Sequence, residues 1–207
     1  MSELAFIHRF EPGHDPTARP LLLLHGTGGD EDDLIPLGRL VAPGAPLLSP
    51  RGKSLENGMP RFFRRLAEGV FDEADVRARA HELADFVAAA RETYRLGAPV
   101  AMGYSNGANI AAAVMLLRPE ALGDAILLRA MVPLATPEAV PRLAATSALI
   151  VSGAHDPIAP PAKAARLKAV LEGAGAHVDH RTLPVGHELS QADVSLARTW
   201  LEGAPAR

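Results

Sequence analysis

The sequence predicts an α/β protein with a mostly parallel central sheet of about seven strands and helices on both faces of the sheet. Short apolar runs alternate with longer helical patterns along the chain, and glycines and prolines punctuate the junctions between them. Three runs are continuously apolar: Leu-Leu-Leu-Leu, Ala-Ile-Leu-Leu and Ala-Leu-Ile-Val. Such runs are typical of strands buried on both faces of a parallel sheet. No repeat or low-complexity linker interrupts the pattern, so we expect a single domain over residues 1–207.

The apolar runs give the expected strands of the sheet. They are Ala5–Phe10, Pro20–Leu24, Pro46–Ser49, Val100–Met102, Ala125–Met131, Ala148–Val151 and Val178–Leu183. The first run is charged and alternating, which predicts an antiparallel strand at the edge.

Four segments between or after these runs have helical patterns: Asp72–Tyr94, Asn106–Leu117, Pro160–Leu171 and Glu188–Leu201. The second is apolar almost all round, which predicts a buried helix. The third starts with prolines, which suit a first helical turn, and it ends before Gly173.

Composition excludes several classes of function. The 207 residues carry a net charge of −3 without a basic stripe, so we expect no nucleic-acid partner. There is no cysteine, which excludes disulfides, thiolate metal sites and a cysteine nucleophile. The N-terminal residues lack the pattern of a signal peptide, and no apolar run reaches the ~20 residues of a membrane span. We therefore expect a cytoplasmic location.

Residues 50–71 do not fit the alternation of strands and helices. Arginines and aromatic residues are interspersed there, and a long loop in a compact domain is usually functional or disordered. We expect this segment to form a flap beside a pocket. Met59, Phe62 and Phe63, with Ile158, are candidates for an apolar acyl-binding site, and the alternative is that they pack in the core.

The stretch Gly103-Tyr104-Ser105-Asn106-Gly107 matches the pattern G-x-S-x-G between a predicted strand and a predicted helix. A serine in that context occupies a strained turn that lifts its hydroxyl off the sheet, and flanking glycines avoid clashes. Ser105 is therefore the candidate nucleophile. The alternative role is that of a turn residue.

A serine hydroxyl at neutral pH needs a general base that is oriented by an acid. The candidate acids after Ser105 are Asp124, Asp156, Asp179 and Asp193. Only Asp156 lies just past a buried apolar strand, at the edge where open α/β sheets place their chemistry. The alternative for Asp156 is an Asp-Pro turn.

The candidate bases are His155, His177, His180 and His187. His187 lies in a loop between the last predicted strand and the last predicted helix, from which its side chain can reach over the sheet. His177 and His180 fit surface positions better, and His155 cannot easily turn back onto its neighbour Asp156. His187 is therefore the candidate base.

The run of four leucines ends in His25-Gly26-Thr27-Gly28-Gly29. Acyl transfer builds negative charge on an oxygen, which backbone N–H groups stabilise. The N–H groups of Thr27 and Asn106 are the candidate pair. A phosphate-binding loop fits less well, because neither glycine pattern of that kind is complete. The acidic residues 30–33 are expected to cap the helix that follows.

These motifs, His-Gly-Thr-Gly-Gly-Asp-Glu, Gly-Tyr-Ser-Asn-Gly, Ser-Gly-Ala-His-Asp-Pro-Ile-Ala-Pro and Gly-His-Glu-Leu, resemble the α/β-hydrolase superfamily. They are most similar to its small phospholipase/carboxylesterase family. The resemblance spans about residues 19–201. It implies a nucleophile at Ser105, an acid at Asp156, a base at His187 and oxyanion donors at Thr27 and Asn106. Thioesterase members often carry glutamine at the position of Asn106, so the resemblance favours general ester hydrolysis over protein deacylation.

The expected function is hydrolysis of carboxylic esters through an acyl-enzyme, with a small-molecule ester as substrate and no metal or organic cofactor. An acyl-thioesterase, a lysophospholipase or a small peptidase would use the same site. A non-catalytic ligand-binding protein on the same scaffold is the alternative of a different class. The resemblance also allows a homodimer.

Overall fold

The computed structural model describes residues 4–135 and 143–203. Its strands are β1 (His8–Glu11), β2 (Leu21–Leu24), β3 (Leu47–Pro50), β4 (Ser54–Glu56), β5 (Met59–Arg61), β6 (Arg65–Ala67), β7 (Val70–Phe71), β8 (Val100–Tyr104), β9 (Asp124–Leu128), β10 (Ser147–Gly153) and β11 (His177–Leu183). Its α-helices are α1 (Ile35–Val41), α2 (Glu73–Tyr94), α3 (Asn106–Leu117), α4 (Pro161–Gly173) and α5 (Gln191–Gly203), and a short 3₁₀ helix spans Pro119–Ala121.

Seven strands form the central sheet in the order β1-β3-β2-β8-β9-β10-β11. Strand β1 is antiparallel to β3, and the other neighbouring pairs are parallel. The predicted fold class is confirmed, including the antiparallel edge strand. Because parallel strands end on the same side, β2, β8, β9 and β10 bring the residues that follow them to one edge of the sheet.

Helices cover both faces of this sheet. Alternate leucines of β2 point to opposite sides: Leu22 and Leu24 join the apolar core beneath α2, α3 and α4, whereas Leu21 and Leu23 join the core beneath α1 and α5. All four leucines are fully buried. The continuous apolar run therefore arises because both faces of the strand are covered.

One predicted strand end and one predicted helix cap differ from the structure for local reasons. The expected strand Ala125–Met131 ends at Leu128, because Arg129 has a left-handed backbone with φ of +57°. The acidic residues 30–33 do not cap a helix: α1 begins at Ile35, and its N-terminus has neither an acidic first turn nor a side-chain cap. The carboxylate of Glu31 instead accepts a hydrogen bond from Arg51 Nη2 at 2.8 Å.

Residues 50–71, which we expected to form a flap beside a pocket, have regular secondary structure and contribute Arg61, Arg65, Glu68 and Phe71 to the cavity described below. They form two antiparallel hairpins, β4–β5 and β6–β7. The first hairpin turns at Asn57-Gly58, where both residues have positive φ, +52° and +81°. This pair of conformations is characteristic of a tight two-residue hairpin turn.

Candidate active site

Ser105 lies in a strained turn between β8 and α3. Its φ of +52° is in the left-handed region, which is costly for a residue with a side chain. The turn is crowded: a Cβ on Gly103 would lie 2.5 Å from the carbonyl oxygen of Gly107, and a Cβ on Gly107 would lie 1.9 Å from that of Leu24. Only glycine fits at these two positions, which explains the G-x-S-x-G pattern in steric terms.

The imidazole of His187 reaches Ser105 from the loop between β11 and α5. His187 Nε2 lies 2.9 Å from Ser105 Oγ, although the two residues are 82 positions apart in the sequence. On the other side of the ring, His187 Nδ1 lies 2.7 Å from Asp156 Oδ2. Because an ionised carboxylate only accepts hydrogen bonds, Nδ1 carries the proton and Nε2 accepts from the serine hydroxyl.

Asp156 lies in the turn after β10, which ends at Gly153, and its side chain is completely buried. Its Oδ1 accepts hydrogen bonds from the backbone N–H groups of Ile158 and Ala159, each at 2.8 Å. Burial raises the pKa of Asp156, but the hydrogen bonds from Ala159, His187 and Ile158 outweigh burial and leave the pKa below its ordinary value. The carboxylate is therefore ionised at neutral pH and can hold the His187 ring.

Thr27 and Asn106 lie with Ser105 around one cavity of about 260 Å³. Asn106 is the first residue of α3, where a backbone N–H has no partner within its own helix. Thr27 belongs to the glycine-rich turn after β2, which is anchored by the N–H of Gly28 donating to the carbonyl of Pro60 at 2.9 Å. The structure thus brings both predicted donor residues to the serine.

His25, at the base of the same turn, is fully buried and links it to the segment 50–71. Its Nδ1–H donates to the carbonyl of Gly26 at 2.6 Å, and its Nε2 accepts from the N–H of Gly52 at 3.0 Å. Burial lowers the pKa of His25, which keeps the ring neutral so that Nε2 can accept.

Only one of the four predicted substrate-binding residues lines the cavity. Ile158 lines the cavity, and the hairpin segment contributes Phe71 to it. Phe62 and Phe63 instead are buried in the core beneath α2, which is the alternative noted from the sequence. Met59 is 42% exposed on β5 and is not among the residues lining the cavity.

Two arginines of the hairpins also line the cavity, Arg61 and Arg65. Both are paired with Glu56: Arg61 Nη1 lies 2.8 Å from Glu56 Oε2, and Arg65 Nη2 donates to Oε1 at 2.8 Å. Arg65 also pairs with Glu68. The positive charges of this wall are therefore balanced by carboxylates of the same two hairpins.

The other candidate acids lie away from the serine or are paired elsewhere. Asp124 starts β9 at the opposite end of the sheet and pairs with Arg19, and Asp179 pairs with Arg181 in β11. Asp193 forms a fully buried ion pair with Arg129.

The other histidines also lie outside the cavity lining. His180 contacts Ser152 Oγ at 2.9 Å, and His155 and His177 are exposed.

Tyr104 and Arg129, which were not singled out from the sequence, both contact the loop of His187. The Tyr104 hydroxyl donates to the carbonyl of His187 at 3.1 Å. Arg129 donates to the carbonyls of Gly186 and Glu188. The sequence signal that could have identified Arg129 is a charged residue placed directly after a buried apolar strand.

Two further findings concern membranes and metals. None of the helices in the described part of the chain is both long and apolar enough to cross a membrane. Within residues 4–135 and 143–203, no group of three or more His, Asp or Glu side chains is arranged to hold a metal ion.

Similar proteins agree with this fold. The sequence is 44% identical over 199 residues to a protein of Bacillus subtilis (strain 168) described as "Putative hydrolase MhqD", covering 95% of this chain and 98% of that protein. The structure resembles the carboxylesterase of Bacillus cereus, with a TM-score of 0.93 and 45% identity over 97% of this chain and 95% of that one. It also resembles a carboxylesterase from Mesorhizobium loti, with a TM-score of 0.92 and 35% identity over 99% and 98% of the two chains.

A family model described as Phospholipase/Carboxylesterase matches residues 7–204, which is nearly the whole chain. The chain therefore belongs to the phospholipase/carboxylesterase family of esterase-type hydrolases with the α/β-hydrolase fold.

Proposed function

We propose that this chain hydrolyses small carboxylic esters through an acyl-enzyme formed on Ser105, with His187 as general base and acid and Asp156 as the orienting carboxylate. The observation that carries the proposal is the continuous chain of hydrogen bonds from Ser105 Oγ to His187 and on to Asp156, at 2.9 and 2.7 Å. A serine at a left-handed φ above the carboxyl edge of the sheet supports the same assignment.

Acylation begins when Ser105 Oγ attacks the carbonyl carbon of the ester. His187 Nε2 takes the hydroxyl proton as the new C–O bond forms, and the carbonyl oxygen becomes an oxyanion. His187 then gives that proton to the alkoxide leaving group as the ester C–O bond breaks. The alcohol departs and the acyl group stays on Ser105.

Asp156 acts through His187 and does not take the proton itself. Its Oδ2 holds Nδ1–H, so that Nε2 faces Ser105, and its negative charge stabilises the imidazolium that forms during each step. The two backbone N–H groups on Oδ1 keep the carboxylate ionised and oriented.

The oxyanion is stabilised by the backbone N–H groups of Thr27 and Asn106. The position of Asn106 at the first turn of α3 supports this role, because a helix N-terminus combines free N–H groups with a favourable dipole. Deacylation repeats the sequence with water: His187 removes a proton from the water, the hydroxide oxygen bonds to the acyl carbon, and Ser105 leaves with the proton returned by His187.

The size of the cavity favours a short acyl group. Its volume of about 260 Å³ lies below the roughly 300–1,000 Å³ that is typical of pockets for drug-sized ligands. Ile158 and Phe71 supply apolar wall area, and the arginines on the wall are already paired with carboxylates. We therefore expect acetyl and butyryl esters to be better substrates than long-chain esters.

The proposal is tested with a panel of p-nitrophenyl esters of graded acyl length and a fluorophosphonate probe, applied to wild type and Ser105→Ala. We expect wild type to turn over the short esters and to be labelled once, and Ser105→Ala to do neither. Equal turnover and equal labelling of the two proteins would contradict the proposal. Equal rates along the acyl series would contradict the expected preference for short chains.

A further inference from the structure

Arg129 is a fully buried arginine that the proposed chemistry does not use. It follows β9 directly, and none of its side chain is exposed. A buried guanidinium is costly unless its charge is paired and its N–H groups are all hydrogen-bonded. Its backbone is also in the left-handed region, with φ of +57°, which is a second local cost.

Every N–H of this guanidinium has a partner. Nη1 and Nη2 donate to the two carboxylate oxygens of Asp193, at 2.7 and 3.0 Å. Nη1 also donates to the carbonyl of Val151 at 3.3 Å. The remaining donors go to backbone carbonyls of the His187 loop: Nε to Gly186 at 3.1 Å and Nη2 to Glu188 at 2.8 Å. The five donors of an arginine are thus all satisfied.

Gly186 and Glu188 are the residues immediately before and after His187. The Tyr104 hydroxyl donates to the carbonyl of His187 itself at 3.1 Å. Arg129, which follows β9, and Tyr104, which is the last residue of β8, therefore hold three consecutive carbonyls of the loop. Asp193 extends the contact, because its Oδ2 accepts from the N–H and the hydroxyl of Ser190, farther along the same loop.

We infer that Arg129, neutralised by Asp193, is a positioning residue that holds the backbone of the His187 loop so that Nε2 stays within reach of Ser105 Oγ. The inference rests on the proposed function, because it assigns Arg129 a role in that same site. The planar fork of the guanidinium is essential to it, since one group must bind Asp193 and two carbonyls on either side of His187 at once. A lysine keeps the charge but cannot reproduce this geometry.

Charge balance decides which variants test the inference. Replacing Arg129 alone would leave Asp193 buried without its partner and could unfold the protein. We therefore use Arg129→Met together with Asp193→Asn, which removes both charges and keeps an acceptor for Ser190. Arg129→Lys serves as a second variant, because it retains the ion pair.

The chain offers a matched control at the other end of the same strand. Asp124 begins β9, its side chain is completely buried, and its Oδ2 lies 2.7 Å from Arg19 Nη2. Arg19→Met with Asp124→Asn removes an ion pair of the same chemistry that is remote from His187. We expect both double variants to unfold at lower temperature than wild type.

Only the change at Arg129 is expected to alter catalysis. Well below the unfolding temperature, we expect kcat to fall by about 10–100-fold with KM changed by less than about threefold, since a small displacement of a catalytic group is costly. Arg129→Lys should lose about tenfold in kcat. The Arg19 control should keep kcat within about twofold of wild type. Wild-type kcat in either Arg129 variant, provided that the variant is folded, would overturn the inference. If the double variant does not fold, the result for Arg129→Lys decides.

A spectroscopic measurement separates positioning from stability. The Nδ1 proton of His187, bound to Asp156, should give a downfield proton NMR signal that is missing in Asp156→Asn. We expect the signal to shift or broaden in Arg129→Lys and to be unchanged in the Arg19 control. An unchanged signal in Arg129→Lys would contradict the inference. Failure of the proposed function is distinguishable, because wild type itself would then show no fluorophosphonate labelling at Ser105.

Discussion

The side-chain carbonyl of Asn106 accepts a hydrogen bond from the backbone N–H of Phe62 at 2.7 Å. This contact ties the residue after the proposed nucleophile to the hairpin segment 50–71, which forms one wall of the cavity. Asn106 thus has two distinct parts: its backbone N–H is the proposed oxyanion donor, and its side chain anchors the wall.

Replacing Asn106 with alanine should affect binding of the ester more than the chemical step. Asn106→Ala keeps the backbone N–H but leaves the buried Phe62 N–H without its acceptor, at a cost of about 1–3 kcal/mol in the free energy of unfolding. We expect KM to rise several-fold with a smaller change in kcat. Steady-state kinetics and urea unfolding measure the two effects. Asn109→Ala, which removes the acceptor for Met131 N–H at 2.9 Å, is the matched control for stability. A loss of kcat at constant KM would contradict the separation of roles.

Asp156→Asn should nearly abolish turnover without removing the fold. The amide keeps an oxygen for the N–H groups of Ile158 and Ala159, but an NH₂ group facing His187 favours the tautomer in which Nε2 carries the proton. We expect kcat to fall by about 10⁴-fold, the effect of the equivalent change in a serine triad. Asp179→Asn, at a partly exposed position of β11 where the carboxylate pairs with Arg181, should leave kcat unchanged. A loss below about tenfold in Asp156→Asn would contradict the role proposed for the carboxylate.

His25 should make the protein less stable at mildly acidic pH. Its pKa is lowered by burial, so the unfolded chain takes up a proton near pH ~6.5 while the folded protein takes it up only at lower pH. In that window the unfolded state binds more protons, and the free energy of unfolding therefore decreases as the pH falls.

The contribution of His25 is measured by urea unfolding of wild type and His25→Gln across this pH range. The difference in unfolding free energy between the two should shrink as the pH falls below about 6.5, by up to about 1.4 kcal/mol per pH unit. Titration of the other histidines cancels in the difference. A difference that is constant with pH would show that His25 has an unshifted pKa in the folded protein.

Gly107→Ala should damage the turn that carries Ser105. The new methyl group would lie 1.9 Å from the carbonyl oxygen of Leu24, in a region where neither backbone can move without disturbing β2 or α3. We expect a loss of about 3 kcal/mol or more in the free energy of unfolding and no measurable turnover. Gly97→Ala is the control, because no atom lies within 4 Å of the position that its new methyl group would occupy. Near-wild-type stability of Gly107→Ala would show that the turn is less crowded than described.

The fold class and the candidate residues at the carboxyl edge of the sheet could be predicted because each depends on local patterns, whereas the order of the strands comes from the structure. Continuous apolar runs marked the buried strands. Ser105 and Asp156 come after buried strands, whereas His187 lies in the loop after β11, a polar and partly exposed edge strand. Parallel strands end at one edge, so these residues were expected to meet there. The distances among them depend on tertiary packing and come from the structure alone.

Arg129 was missed because its neighbours, Leu128 on one side and Ala130 and Met131 on the other, made it part of an apolar run. Its partners lie 22 to 64 positions away in the chain, and no local pattern identifies them. A charged residue within a run of buried positions was nevertheless a sign that the run ended there.

The segment 50–71 was predicted as a flap, but its two hairpins were not predicted, although a local signal for them was present. Asn57-Gly58 is a strong indicator of a tight hairpin turn, and Gly69 marks the turn of the second hairpin. Which faces of the short strands are buried could not be predicted, because each hairpin packs on distant elements. That is why Phe62 and Phe63 were considered for the pocket but lie in the core.

The central claim, that Ser105 carries the acyl group, is tested most directly by intact-mass measurement during turnover of a slowly deacylated ester. Rapid acid quenching of wild type should give a single adduct with the mass of the acyl group, and peptide mapping should place it on Ser105. Asp156→Asn and Ser105→Ala serve as the slow and the unreactive references. Turnover without a covalent adduct, or an adduct on another residue with full activity retained in Ser105→Ala, would contradict the claim.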